Sequence, residues 1–103
     1  MCIRDRGKAV LSLMRQVISS QRWGLGSAGV PAAFKGGWGP GASGDYLVRQ
    51  TGVLTVGDRP IAVSIATLPA DGSFDTGTRN LTKIASWLTS HVNATRAPKA
   101  IVC

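Results

Sequence analysis

The sequence predicts an α+β fold: a three-stranded antiparallel sheet flanked by an N-terminal and a C-terminal helix. Three observations carry that expectation. Apolar residues recur at three- and four-residue spacing over 8–21 and again over 81–92. Two runs rich in β-branched and apolar residues, 45–56 and 59–68, flank a Gly57-Asp58 turn signal. A glycine-dense segment with one short strand-like run separates the first helix from this pair. At 103 residues, 44% of them apolar, the chain suits one small globular domain or a piece of a larger one.

The opening "MCIRDR" is unlike the rest of the chain and resembles a translated sequencing-adapter remnant, so residues 1–7 are expected to be foreign and the protein's front to lie upstream. From Lys8 to Gln21, Val10, Leu11, Leu13, Met14, Val17 and Ile18 form the apolar stripe of an amphipathic helix. "WGLG" (23–26) is expected to end it, because glycine adopts the left-handed C-cap conformation without a Cβ penalty. Met14 reads as core.

Residues 24–44 hold eight of the thirteen glycines. Val30, Ala32, Ala33 and Phe34 interrupt them with a strand-like run ending at Lys35, and "GPGASG" (39–44) reads as a hairpin loop. In "RPIAVSIATL" (59–68), Ile61, Val63 and Ile65 share one face and Ala62, Ser64 and Ala66 the other. The small face suits a close-packed helix or second domain. Pro60 is tolerated at the strand start, where no ladder donor is required.

"PADGSFDTG" (69–77) is a turn-rich connection in which Asp75 or Thr76 is expected to cap the last helix. Leu81, Ile84, Ala85, Leu88 and Val92 line that helix's buried stripe, with Trp87 at its edge. Burying Leu81, Ile84 and Leu88 contributes roughly 1.5–3 kcal/mol each before entropy is counted. Residues 93–103 are expected to be a disordered or foreign tail.

Composition narrows the function. The net charge is +7 with a pI near 10.5, but the twelve Lys and Arg are scattered from Arg4 to Lys99. No aromatic RNA-binding cluster, zinc-finger spacing or recognition helix accompanies them, so no nucleic-acid partner is expected. No apolar stretch is long enough to span a bilayer, and no signal-peptide pattern is visible. All five acidic residues are aspartates, and His91 is the one histidine. Cys2 and Cys103 sit at the extremes. No metal site, disulfide framework or cofactor is indicated. His91 reads as a favourable cation at a helix C-terminus. Asn80-Leu81-Thr82 and Asn93-Ala94-Thr95 match the glycosylation pattern, although Asn80 falls in a helix.

The order of elements around "FKGGWGP" (34–40) is specific. Together with "QRWGLG", "DYLVRQTGVL", "RPIAVSIAT" and "TRNLTKIASWL", it resembles the C-terminal part of the serine β-lactamase and penicillin-binding protein superfamily, most closely the class A β-lactamase-like serine hydrolases. The resemblance covers about residues 8–92. In that family a Lys-Thr-Gly or Lys-Ser-Gly triplet borders the active site, and Lys35-Gly36-Gly37 stands in its place. The resemblance implies that Lys35 stabilises a substrate carboxylate and the developing anion. Gly37 would leave the strand open to a substrate amide. The backbone N–H of Trp38 would be one oxyanion-hole donor.

Gly36 departs from the pattern, because the family carries a carboxylate-binding hydroxyl there. Arg49 either faces the cleft and replaces that anchor, or faces solvent. No Ser-x-x-Lys, Ser-Asp-Asn or glutamate occurs, so the chain alone is expected to be inactive, its nucleophile lying in an upstream helical domain that packs on the sheet. A small-molecule β-lactam-like or peptide substrate and an extracytoplasmic location follow from the resemblance. Loss of neighbouring strands implies an exposed edge at 61–68 and a tendency to associate. The alternative is a non-catalytic module that binds a peptide or cell-wall ligand by strand addition.

Overall fold

The computed structural model describes residues 4–92. Two helices and three strands follow in the order α1 (Arg4–Met14), β1 (Ala32–Pro40), β2 (Tyr46–Val56), β3 (Arg59–Thr67) and α2 (Phe74–His91). The strands form one antiparallel sheet in the order β1-β2-β3. The fold class is therefore α+β, with two helices around a three-stranded antiparallel sheet. Among the described residues no helix is long and apolar enough to cross a membrane.

The first helix differs from the expectation at both ends. It starts at Arg4 rather than Lys8, with Asp5 in the first turn, where a carboxylate favours the positive end of the helix. It stops at Met14 although apolar spacing continues to Ile18. The Gln16 N–H bonds the Leu13 carbonyl and tightens the end, and Val17-Ile18-Ser19-Ser20 pairs β-branched residues with serines that compete for backbone bonds. Ile18 is extended and opens a single 3-10 turn over Ser19–Gln21. "WGLG" consequently does not cap α1. Gly24, with φ of 62°, instead begins a second 3-10 turn, Gly24–Ser27.

β1 runs past Lys35 to Pro40, so residues 39 and 40 are strand and the hairpin loop is 41–45. Pairing with β2 supplies what local propensity does not: Gly36, Gly37 and Gly39 are poor strand formers held by Gln50, Arg49 and Leu47 opposite. β2 and β3 sit within a residue of expectation, joined by the two-residue Gly57-Asp58 turn.

Leu25, Phe34, Leu54 and Ala85 form the buried centre, with Val63 and Ile65 packed against it. Gly52 lies opposite Phe34 in the register. A Cβ there would collide with the Ala33 carbonyl oxygen and stand 2.7 Å from the Phe34 Cβ. The close approach of β1 therefore requires glycine. Ile61, Val63 and Ile65 do share the inner face of β3, while Ala62, Ser64 and Ala66 are exposed.

Helix α2 is capped by Ser73, not by Asp75 or Thr76: the Ser73 hydroxyl oxygen accepts the Thr76 N–H at 3.1 Å. Asp75 instead pairs with Arg79 on the surface at 3.1 Å. Leu81 and Ala85 are fully buried, and Ile84 and Leu88 half-buried. His91 stacks on exposed Trp87 at 4.3 Å. Asn93, both cysteines and the tail from 93 onward lie outside the described residues.

Candidate functional site

Among the described residues both outer strands of the sheet have a free edge, and hydrogen-bond alternation decides which backbone groups point there. In an antiparallel pair, opposed residues alternate between exchanging both backbone bonds and exchanging none. Thr55 N–H bonds Pro31 O at 2.9 Å, and Gly41 N–H bonds Asp45 O at 2.8 Å. The uninterrupted register between these two pairs then places Ala33/Val53, Lys35/Thr51, Gly37/Arg49 and Gly39/Leu47 in the bonded class. Gly36 and Trp38 fall in the other class. Their N–H and C=O groups aim away from β2, into the open edge of β1. The lysine at 35 uses one of them: its Nζ donates to Gly36 O at 2.6 Å.

Side chains alternate across the two faces. Lys35, Gly37 and Arg49 share the outer face, with Thr51 and Ser64 beside them, their hydroxyl oxygens 3.2 Å apart. Arg49 thus lies on the lysine's side of the sheet. A Cβ at Gly37 would stand 3.7 Å from Arg49 Nε and 3.8 Å from its Cγ. The missing side chain lets the arginine lie along the strand. Arg49 makes no hydrogen bond or ion pair among the described residues. Lys35, Gly36, Gly37, Arg49, Gln50 and Thr51 enclose a shallow cleft of about 240 Å³.

Gly36 and Trp38 project to the inner face, where sequence alone suggested no functional group. A Cβ at Gly36 would stand 3.1 Å from the Trp38 indole and 3.3 Å from that of Trp23. The direction in which a residue-36 hydroxyl would point is occupied by two indoles. Trp23, Trp38 and Phe74 meet with centroids 5.2–5.8 Å apart, and Tyr46 joins Phe74 at 6.0 Å. These are tilted and edge-on contacts, the favoured geometry for aromatic rings. Four of the chain's six aromatic residues gather here. Lys35 Nζ lies 6.0 Å from the Trp38 ring centroid, at the outer limit of a cation–π contact.

Gln50 holds this cluster in place. Only 1% exposed, its Oε1 accepts the Leu25 N–H and its Nε2 donates to Trp23 O, both at 2.8 Å. From α2, the Thr82 hydroxyl accepts the Gly24 N–H at 2.9 Å. β2 and α2 thereby fix the Trp23 loop beside the strand that carries Lys35. The signal was present in the sequence: Gln50 is the lone polar residue in the inward series Val48, Gln50, Gly52, Leu54.

Beyond Trp38 a second cleft, about 270 Å³, is lined by Trp38, Gly39, Pro40, Gly41, Leu47 and Arg49. Among the described residues no three side chains gather to hold a metal ion. Away from the site, Asp71 accepts from the Thr76 hydroxyl and from the Ser73 N–H and hydroxyl. The Thr76 bond foremost, then the Ser73 backbone, holds its carboxyl below the ordinary value of 3.8.

Comparison with protein-family models, curated proteins and solved structures returns no match for this chain.

Proposed function

We propose that the open edge of β1 is the acyl-recognition edge of a β-lactamase-like serine hydrolase whose nucleophile is carried by a segment upstream of this chain. The observation that supports this reading is the outward-pointing N–H of Trp38 beside Lys35 on an unpaired strand edge. A preorganised backbone donor with an adjacent cation suits an oxyanion that forms during acyl transfer. In the intact protein a serine Oγ attacks the substrate carbonyl carbon, the C–N or C–O bond to the leaving group breaks, and water later cleaves the acyl-serine. Trp38 N–H and the serine's own N–H receive the oxyanion, and Lys35 supplies positive potential.

Position 36 cannot serve the substrate carboxylate as a hydroxyl would, since it carries no side chain and faces the indoles. Arg49, without a partner among the described residues and on the lysine's face, is the replacement anchor. The same outer face, with small Ala62, Ser64 and Ala66, suits the covering helical domain, and export would follow from a leader upstream. A second reading, strand addition of a peptide to the β1 edge, draws on the same unpaired backbone groups without a nucleophile. Extending the gene upstream separates the two. The hydrolase reading expects an in-frame Ser-x-x-Lys on a helical segment; a complete gene without it leaves only the binding module.

A further inference from the structure

Among the described residues the two free edges of the sheet are not equivalent. On β1 the Lys35 ammonium already donates to Gly36 O, an acceptor that an incoming strand would need. The β3 edge has no such guard. Val56 and Arg59 flank a two-residue hairpin as a bonded pair, so the backbone groups of Ala62, Ser64 and Ala66 point outward. No residue between 60 and 70 is charged, and the outer side chains of β3 are small and exposed. Ile61, Val63 and Ile65 on the inner side are only half-buried, since α2 packs more over β2 and the Gly24–Ser27 turn than over β3.

We propose that two copies of this chain pair through β3, antiparallel and centred on Ser64, into one continuous sheet. The segment is self-complementary in that alignment. On the outer face Ser64 meets its own copy and Ala62 meets the partner's Ala66, all small side chains. On the inner face Val63 meets the partner's Ile65 at a non-bonded position, where β-branched side chains approach closely. The alignment uses the outward N–H groups of Ala62, Ser64 and Ala66. It leaves Pro60, which has no N–H to give, at the end of the pairing beside the partner's Leu68, a residue 73% exposed in the single chain. Arg59 is the one charged residue of β3. The two-fold sets its copies about 33 Å apart along the strands, several screening lengths, so the contact brings no like charges together. The guarded β1 edges then lie outermost, and assembly closes at the dimer instead of growing.

The test reads register as well as mass. Sedimentation velocity on the unmodified chain should show a monomer–dimer equilibrium with Kd on the order of 100 μM, weak as befits a contact smaller than a standard interface, and no larger species. Amide exchange followed by NMR should slow at Ala62, Ser64 and Ala66 as concentration rises, and stay unchanged at Gly36 and Trp38. Single cysteines are then oxidised in a Cys2→Ser, Cys103→Ser background. Opposed residues stand about 5.5 Å apart at Cα, within disulfide reach, whereas Ala62 and its own copy stand about 14 Å apart. Ser64→Cys should therefore couple to itself roughly tenfold faster or more than Ala62→Cys or Ala66→Cys alone, and a mixture of the latter two should couple as fast as Ser64→Cys. A chain still monomeric at about 1 mM, roughly ten times that Kd, would assign the edge to another strand and overturn the proposal. So would association that leaves the three β3 amides unprotected, growth beyond the dimer, or coupling indifferent to cysteine position.

Discussion

Replacing Gln50 with leucine tests how the site is held. The side chain is buried and makes two 2.8 Å bonds to backbone groups of the Trp23 loop. Leucine keeps most of the volume but leaves the Leu25 N–H and the Trp23 carbonyl without their partner. Each unsatisfied buried backbone group costs about 1–3 kcal/mol. The two together should cost about 2–6 kcal/mol, a large part of the about 5–15 kcal/mol that holds a domain of this kind. With a urea slope of about 1–3 kcal/mol per molar, the unfolding midpoint should fall by about 1 M or more. Tryptophan fluorescence should move ahead of far-ultraviolet circular dichroism, because Trp23 is released before the sheet. A midpoint within about 0.2 M of the unmodified chain, the size of a surface effect, would show that the loop is held by packing alone.

Three further outcomes rest on the same geometry. Gly52→Ala should destabilise by about 1–3 kcal/mol or more, since its Cβ meets the Ala33 carbonyl and the Phe34 backbone rather than a movable side-chain end; an unchanged thermal midpoint would contradict the close β1–β2 approach. Asp71→Asn should lower stability at neutral pH. The carboxyl's pKa is depressed on folding, so its contribution is present above 3.8 and is lost as pH falls through the folded value; a wild-type-to-variant difference that persists unchanged well below 3.8 would refute this. Finally, the residue-62, 64 and 66 amides face the free edge of β3, because Val56 and Arg59 flank a two-residue hairpin and set the alternation. Ala62→Lys should therefore reduce self-association in sedimentation velocity by placing a charge on that edge, and unchanged association would show that this edge is not the contact.

Much of the architecture was legible because it depends on periodicity. The alternation of Ile61, Val63 and Ile65 with Ala62, Ser64 and Ala66 fixes the face of β3, and the stripe of Leu81, Ala85 and Leu88 fixes that of α2. Segment ends were less readable. Val17 and Ile18 continue the apolar rhythm of α1 yet leave the helix: Val17 still packs against the core, whereas Ile18 is extended and exposed. Gly36, Gly37 and Gly39 look like loop and are strand, because their order comes from β2 across the ladder rather than from their own propensity. The Ser73 cap was obscured by Asp75 and Thr76, two further capping residue types within three positions of it. At the site, the placement of Lys35 and Arg49 on one face follows from parity once the register is known. The indoles over Gly36 do not follow from any local pattern, because Trp23 reaches them from another segment.

The central claim is that Lys35 and the Trp38 amide assist acyl transfer to a serine supplied upstream. Its most direct test is acylation of the intact gene product by a fluorescent penicillin, followed by peptide mapping and timed adduct formation. A single adduct is expected on the serine of a Ser-x-x-Lys, formed on the order of 10²–10³-fold more slowly in Lys35→Gln, as for loss of one oxyanion-stabilising group. An intact protein that forms no serine adduct, or one whose rate is indifferent to Lys35, would contradict it.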